Sequence, residues 1–297
     1  MLIALLIPLG LAILLFAAIM ARQAVSRKTK PNLEAAALGA VTNFFDTLGI
    51  GSFAPSMAWL KFRKLVPDRL LPCTMLTGYA LPTLTQAVIF LTLLGVLVDP
   101  VLLVGCVLAV LMGGLLGAPL VTRTRVWIVQ MIVAAALLVA AALYMMTNLH
   151  LMPGGGTAET LPVPLMIVAI IANFIFGVLL NYGVGNYAPT LVMLSLMGMD
   201  PRLAFPIMAS GASLAAAGAG VRHLAMGEID LRIATGLAIG GIPAVFVAAF
   251  IVKSMPLEML RWLVIVVVLY AAIVMLRSAL SGRSEERSAA AIRAEAL

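Results

Sequence analysis

Long apolar runs dominate the chain. Seven of them, 2–20, 70–98, 101–121, 127–146, 203–221, 233–251 and 259–275, are close to or above 20 residues and carry almost no charge. A helix of about 20 apolar residues crosses the ~30 Å hydrocarbon core of a bilayer. The runs do not alternate apolar and polar positions, as the ~10-residue strands of a membrane barrel would. They therefore predict membrane-spanning helices. Two further apolar stretches, 33–60 and 162–197, are interrupted by glycine and predict broken helices that enter the membrane and return. The pattern as a whole predicts an all-α polytopic membrane protein with about seven full crossings and two re-entrant elements.

Composition supports this reading. Hydrophobic residues make up 63% of the 297 positions and charged residues only 10%, against about 25% charged in soluble domains. The net charge of +7 does not point to nucleic acid, because the basic residues sit in short clusters between apolar runs, where the positive-inside rule puts them. Clusters at 21–31 and 61–69 flank the first broken stretch on both sides. With that stretch re-entrant, all basic residues but Arg202, Lys253 and Arg261 fall on the cytoplasmic side. The N-terminus is then outside and a tail, 281–297, cytoplasmic. Run 2–20 has no positive residue before it and Arg22, Arg27, Lys28 and Lys30 after it, which favours a retained helix over a cleaved signal. Trp59, Trp127 and Trp262 stand at segment ends as interfacial anchors would. Cys73 and Cys106 lie in apolar stretches and read as small hydrophobes, so neither a metal nor a cofactor is expected.

The broken stretches carry a repeat. Gly49-Ile50-Gly51-Ser52-Phe53-Ala54-Pro55 matches Gly183-Val184-Gly185-Asn186-Tyr187-Ala188-Pro189 position for position in residue type, 134 residues apart. Arg69 and Gly78 echo Arg202 and Gly211 at 133. Each half reads as one helix, one re-entrant element and two helices. That odd number of crossings inverts one half relative to the other, an architecture of secondary transporters. Repeat 1 is expected at about 1–122 and repeat 2 at about 127–252. An extra helix, 259–275, completes a transporter domain over 1–280.

Pro55 and Pro189 suit the first position of a new helix. The amides of Ser56, Met57, Thr190 and Leu191, with those of the glycine turns, then lack an obvious partner. An anion would satisfy them, favoured by the helix dipole. The expected substrate-binding residues are Gly49, Gly51, Ser52, Phe53, Ser56, Gly183, Gly185, Asn186, Tyr187 and Thr190, with Asn43, Tyr79 and Asn181 close by. Thr42, Thr47, Asn173, Tyr182, Thr77, Thr83, Gln86, Ser210 and Ser213 add polar groups around the breaks; each alone is more often a packing residue. Asp46 is the only ionisable residue well inside a predicted membrane segment. An intramembrane carboxylate is a functional candidate by default. It could couple transport to a proton or a sodium ion, or simply cap the broken helix. Its repeat counterpart is Leu180.

The two Gly-x-Gly…Pro motifs, each after an apolar helix, resemble those of the sulfite exporter TauE/SafE family, the toluene sulfonate uptake permeases. The resemblance covers about 33–279. It implies a bacterial inner-membrane permease for sulfur-containing anions such as sulfite, thiosulfate or organosulfonates, working by alternating access around a midplane site. Family members typically have more glycines at the breaks, where this chain has Ser52-Phe53 and Asn186-Tyr187; an organic anion with an apolar portion would suit that difference. The expected partners are a small anion, a coupling proton or sodium ion, and the lipid bilayer, with a homodimer left open. Two other classes compete. An anion channel would share the same site. A membrane-embedded enzyme is disfavoured, because Ser52 has no membrane-embedded His to act as base and Asp46 has no second carboxylate.

Overall fold

The computed structural model describes residues 2–67, 70–94, 97–121, 125–149, 151, 156–180, 185–227 and 229–295. Eight helices among the described residues are long and apolar enough to cross a membrane, and the chain is an all-α polytopic membrane protein. Each apolar run forms a helix: α1 (Leu2–Ser26), α4 (Leu71–Leu93), α5 (Pro100–Val121), α6 (Val126–Asn148), α9 (Ala204–Met226), α10 (Leu231–Ser254) and α11 (Leu257–Glu295). The interrupted stretches form helix pairs, α2 (Leu33–Thr47) with α3 (Phe53–Phe62), and α7 (Val163–Leu180) with α8 (Tyr187–Leu196).

The eighth helix of spanning length is α7, expected only as the first limb of a re-entrant element. It has 18 residues with no charge among them. Its counterpart α2 has 15, including Glu34 and Asp46, and falls short. The tail continues α11, which runs unbroken for 39 residues. Its extension lies along the start of α6, where Ser278 donates to the Gln130 side chain at 3.0 Å, Arg283 stacks 5.4 Å from the Trp127 ring and Arg125 pairs with Glu286 at 3.2 Å.

The interior is built from helix pairs that cross between the halves. α2 packs along α10, α5 along α7, and α4 along α9. Leu237 of α10 is held between Gly39 of α2 and Gly78 of α4. A Cβ on Gly39 would stand 2.4 Å from the Leu237 carbonyl oxygen, and one on Gly78 would stand 3.0 Å from the Leu237 side chain. Val110 of α5 is held in the same way between Gly177 of α7 and Gly211 of α9, at 2.2 Å and 3.1 Å. In a bilayer, helices gain little from hydrophobic burial against one another, so close backbone approach at small residues carries the packing. Exchanging α2 with α7, α4 with α9 and α5 with α10 carries these pairings onto themselves. The outer helices do not follow: α1 lies on α4 and α9, whereas α6 lies on α11 and α8.

Candidate functional site

At the first break, α2 ends at Thr47 and α3 begins at Phe53. Gly49 (φ 97°) and Gly51 (φ 86°) turn the chain through left-handed conformations that a side chain would strain. The buried Asp46 side chain reaches across this turn, and its Oδ1 accepts the Ser52 N–H at 2.8 Å. A carboxylate thus sits at the amide end of α3.

The expected helix starts need correction. α3 and α8 begin two residues before Pro55 and Pro189. The first intrahelical bonds are Ser56 N–H to the Ser52 carbonyl at 3.2 Å and Thr190 N–H to the Asn186 carbonyl at 3.1 Å. The prolines fall at the third helical position, still within the first turn, where an N–H has no intrahelical partner and its loss costs little. The amides of Ser56, Met57, Thr190 and Leu191 therefore belong to the helices. Those ahead of the first bond are Phe53 and Ala54 on α3, and Tyr187 and Ala188 on α8. Neither Ser52 nor Asn186 makes a side-chain cap.

Three hydroxyls join α2, α3 and α4. Thr42 donates to the Leu38 carbonyl at 2.8 Å, and Ser56 to the Ser52 carbonyl at 2.6 Å. The Tyr79 hydroxyl touches both, Thr42 at 2.9 Å and Ser56 more closely still. Three protons serve this cluster, and two are committed to backbone carbonyls, which leaves the Tyr79 proton for its two neighbours. No donor remains for an anion. Ser56 and Tyr79, expected as ligands, here tie the broken helix to α4. Phe53 is 40% exposed and directed outward, its ring 5.9 Å from that of Tyr79.

At the second break, Asn181 and Gly183 lie outside the described residues. Gly185 is exposed. A Cβ at Gly185 would meet nothing within 4 Å, and the same holds at Gly51. The buried Asn186 side chain donates to the Met208 carbonyl at 3.3 Å. Thr190 donates to Asn173 at 3.1 Å, a bond spanning the break from α8 to α7. α8 is enclosed, with Ala188, Pro189, Thr190, Leu191 and Val192 all buried.

The two breaks meet. A Cβ on Gly49 would stand 3.8 Å from Leu191 of α8 and 3.4 Å from Val267 of α11. The Tyr187 hydroxyl lies within electrostatic reach of Asp46 and beside Gln86 of α4. The Tyr187 hydroxyl and the Gln86 side chain hydrogen-bond each other across this contact, and neither has a further partner among the described residues. They form a buried, uncharged polar pair between α4 and α8. The Asn43 side chain lies instead against Gly241 of α10. Gln86 is fully buried. Its signal in the sequence is an uncharged amide in the middle of an apolar helix, and its place facing α8 comes only from the packing of α4 on α9. Two surface clefts lie away from the breaks. One, of about 600 Å³, is lined by Arg27, Lys28, Lys30, Glu34 and Arg232, and the other, of about 480 Å³, lies between α6 and α11. Beside the first, Arg63 bonds Glu34 at 2.8 Å and holds that carboxyl below its ordinary range.

The model of the family sulfite exporter TauE/SafE matches residues 165–296, from α7 through α11, and takes in the second break. It is the same family that the motifs resemble. No curated protein and no solved structure matches the chain.

Proposed function

We propose that this chain, matched to the sulfite exporter TauE/SafE family through its second half, is a secondary transporter of small sulfur-containing anions such as sulfite, thiosulfate or organosulfonates. The substrate site lies where the two helix breaks meet, near the midplane. Backbone amides at the start of α8 hold the oxyanion, and Tyr187 and Gln86 supply uncharged hydrogen bonds. One observation carries this reading: a buried uncharged pair, Tyr187 with Gln86, stands at an amide helix end in a membrane interior that has no buried Lys or Arg among its described residues. A fixed cation there would be costly to insert and would release an anion slowly. Amide dipoles hold the anion more weakly and persist when it leaves.

The crossed pairings of α2 with α10 and α5 with α7 support two repeats of inverted topology, and the charge bias of the loops supports an outside N-terminus and a cytoplasmic C-terminus. Asp46, the one acid buried at the breaks, is the coupling residue. Uptake of radiolabelled sulfite, thiosulfate and methanesulfonate into proteoliposomes, with and without a pH gradient, tests the proposal. Saturable uptake that is accelerated by substrate preloaded on the opposite side is expected of a carrier. Uptake without such acceleration would make the protein a channel, and no flux of any of the three would overturn the assignment.

A further inference from the structure

The two helix breaks are not equivalent, and the difference lies in a charge. At the first break the amide end of α3 is already occupied, because Asp46 Oδ1 holds the Ser52 N–H at 2.8 Å. At the second break no carboxylate of the described residues takes that place: Leu180 stands at the position of Asp46, and Asn186 turns its side chain to the Met208 carbonyl. The second end carries instead an uncharged polar pair, the Tyr187 hydroxyl and the fully buried Gln86 amide. The two ends lie close together, with Asp46 in electrostatic reach of Tyr187.

We infer that Asp46 is a tethered internal anion that excludes a second anion from the site until it takes up a proton, so that one anion and one proton move together. This rests on the substrate site proposed above. The chemistry is a protonation with no other bond changed. A proton from water adds to an Asp46 carboxylate oxygen, the side chain goes from −1 to neutral, and its hold on the Ser52 N–H weakens. A monoanion then enters at α8 and restores the net charge of −1. In the reverse step the proton and the anion leave together. A buried site that always carries one negative charge avoids both the repulsion of two anions and the loss of the only partner for the amide ends. Among the described residues, the titratable groups within electrostatic reach of Asp46 are Tyr79 from α4 and Tyr187 from α8. Neither phenol offers a positive charge to offset the carboxylate.

A like charge several ångströms away in a medium of effective dielectric constant about 20 weakens anion binding on the order of 100-fold. Methanesulfonate is a monoanion throughout pH 5 to 9, so any pH dependence of its binding belongs to the protein. The test is its equilibrium binding, radiolabelled, to the full chain in lipid nanodiscs across that range. The wild type should bind more weakly as pH rises, by up to about 100-fold. Asp46→Asn, which keeps the shape and the acceptor for Ser52 but not the charge, should bind at every pH as tightly as the wild type at its acid limit. Asp46→Glu should keep the pH dependence, and it carries the test if the Asn variant does not fold. Wild-type affinity that is flat across the range would overturn the inference, as would an Asp46→Asn protein that binds more weakly than wild type throughout. Failure of methanesulfonate to bind at any pH, or normal binding by a folded Gly185→Leu variant, would instead overturn the substrate site on which the inference rests.

Discussion

Bulk placed at Gly185 separates a substrate site from a mere turn. In both breaks the second glycine faces open space, with no atom within 4 Å of an added Cβ. Gly51 has φ 86°, where any L side chain is strained by about 1–2 kcal/mol, so a substitution there mixes loss of fold with loss of site. Gly185 is exposed and gives the cleaner test. Gly185→Ala should leave both Tm and binding near normal. Gly185→Leu should fold as well but fill the space ahead of α8. An anion shut out of that space loses the amides of Tyr187 and Ala188. A hydrogen bond to a charged group contributes about 1.5–3 kcal/mol. Two of them give about 3–6 kcal/mol, or 10²–10⁴-fold in Kd at ~1.4 kcal/mol per tenfold. Thermal unfolding in detergent and equilibrium binding of methanesulfonate and sulfite measure the two effects separately. A Gly185→Leu protein with wild-type Tm and a Kd within about threefold of normal would place the anion elsewhere. If Gly185→Ala alone abolished binding, the space would not be the open one described, and the amide geometry would be wrong.

The other expectations follow from single contacts. Tyr79→Phe removes the proton shared by Thr42 and Ser56 and leaves a buried acceptor unpaired; it should lower stability by about 1–3 kcal/mol, read as a fall in Tm, with substrate affinity nearly unchanged because that hydroxyl is committed to its neighbours. Gly113→Ala would set a Cβ 2.0 Å from the Phe174 carbonyl oxygen and push α5 off α7; loss of monodisperse protein on size exclusion is expected, whereas Gly218→Ala, with nothing within 4 Å of its Cβ, should be tolerated. Lys64→Cys, in the short turn after α3, should react with a membrane-impermeant maleimide in inverted vesicles but not in intact cells, and labelling in intact cells would contradict the proposed topology.

The crossings were legible because nothing but a helix satisfies twenty apolar residues of backbone in lipid, and the sequence marks both breaks by a seven-residue repeat that glycine geometry makes specific. The chemistry within the breaks was less legible, since it depends on which atoms already have partners. Ser56 and Tyr79 read as available hydroxyls in the sequence, but folding closes them onto Thr42 and the Ser52 carbonyl. Asp46 lies six residues before Ser52, too far for a familiar capping pattern, and only the tight left-handed turn at Gly49 and Gly51 brings carboxylate and amide together. α7 read as half of a re-entrant element because the repeat was aligned at its glycines, although it is 18 residues long and carries only one strongly polar side chain, Asn173, where α2 has 15 residues with Glu34, Asn43 and Asp46. In α2, Glu34 pairs with Arg63 at one end and Asp46 lies under Ser52 at the other. The first break is thereby tied by ionisable side chains that the second break has no counterpart for in the sequence, where Leu180 stands in the place of Asp46.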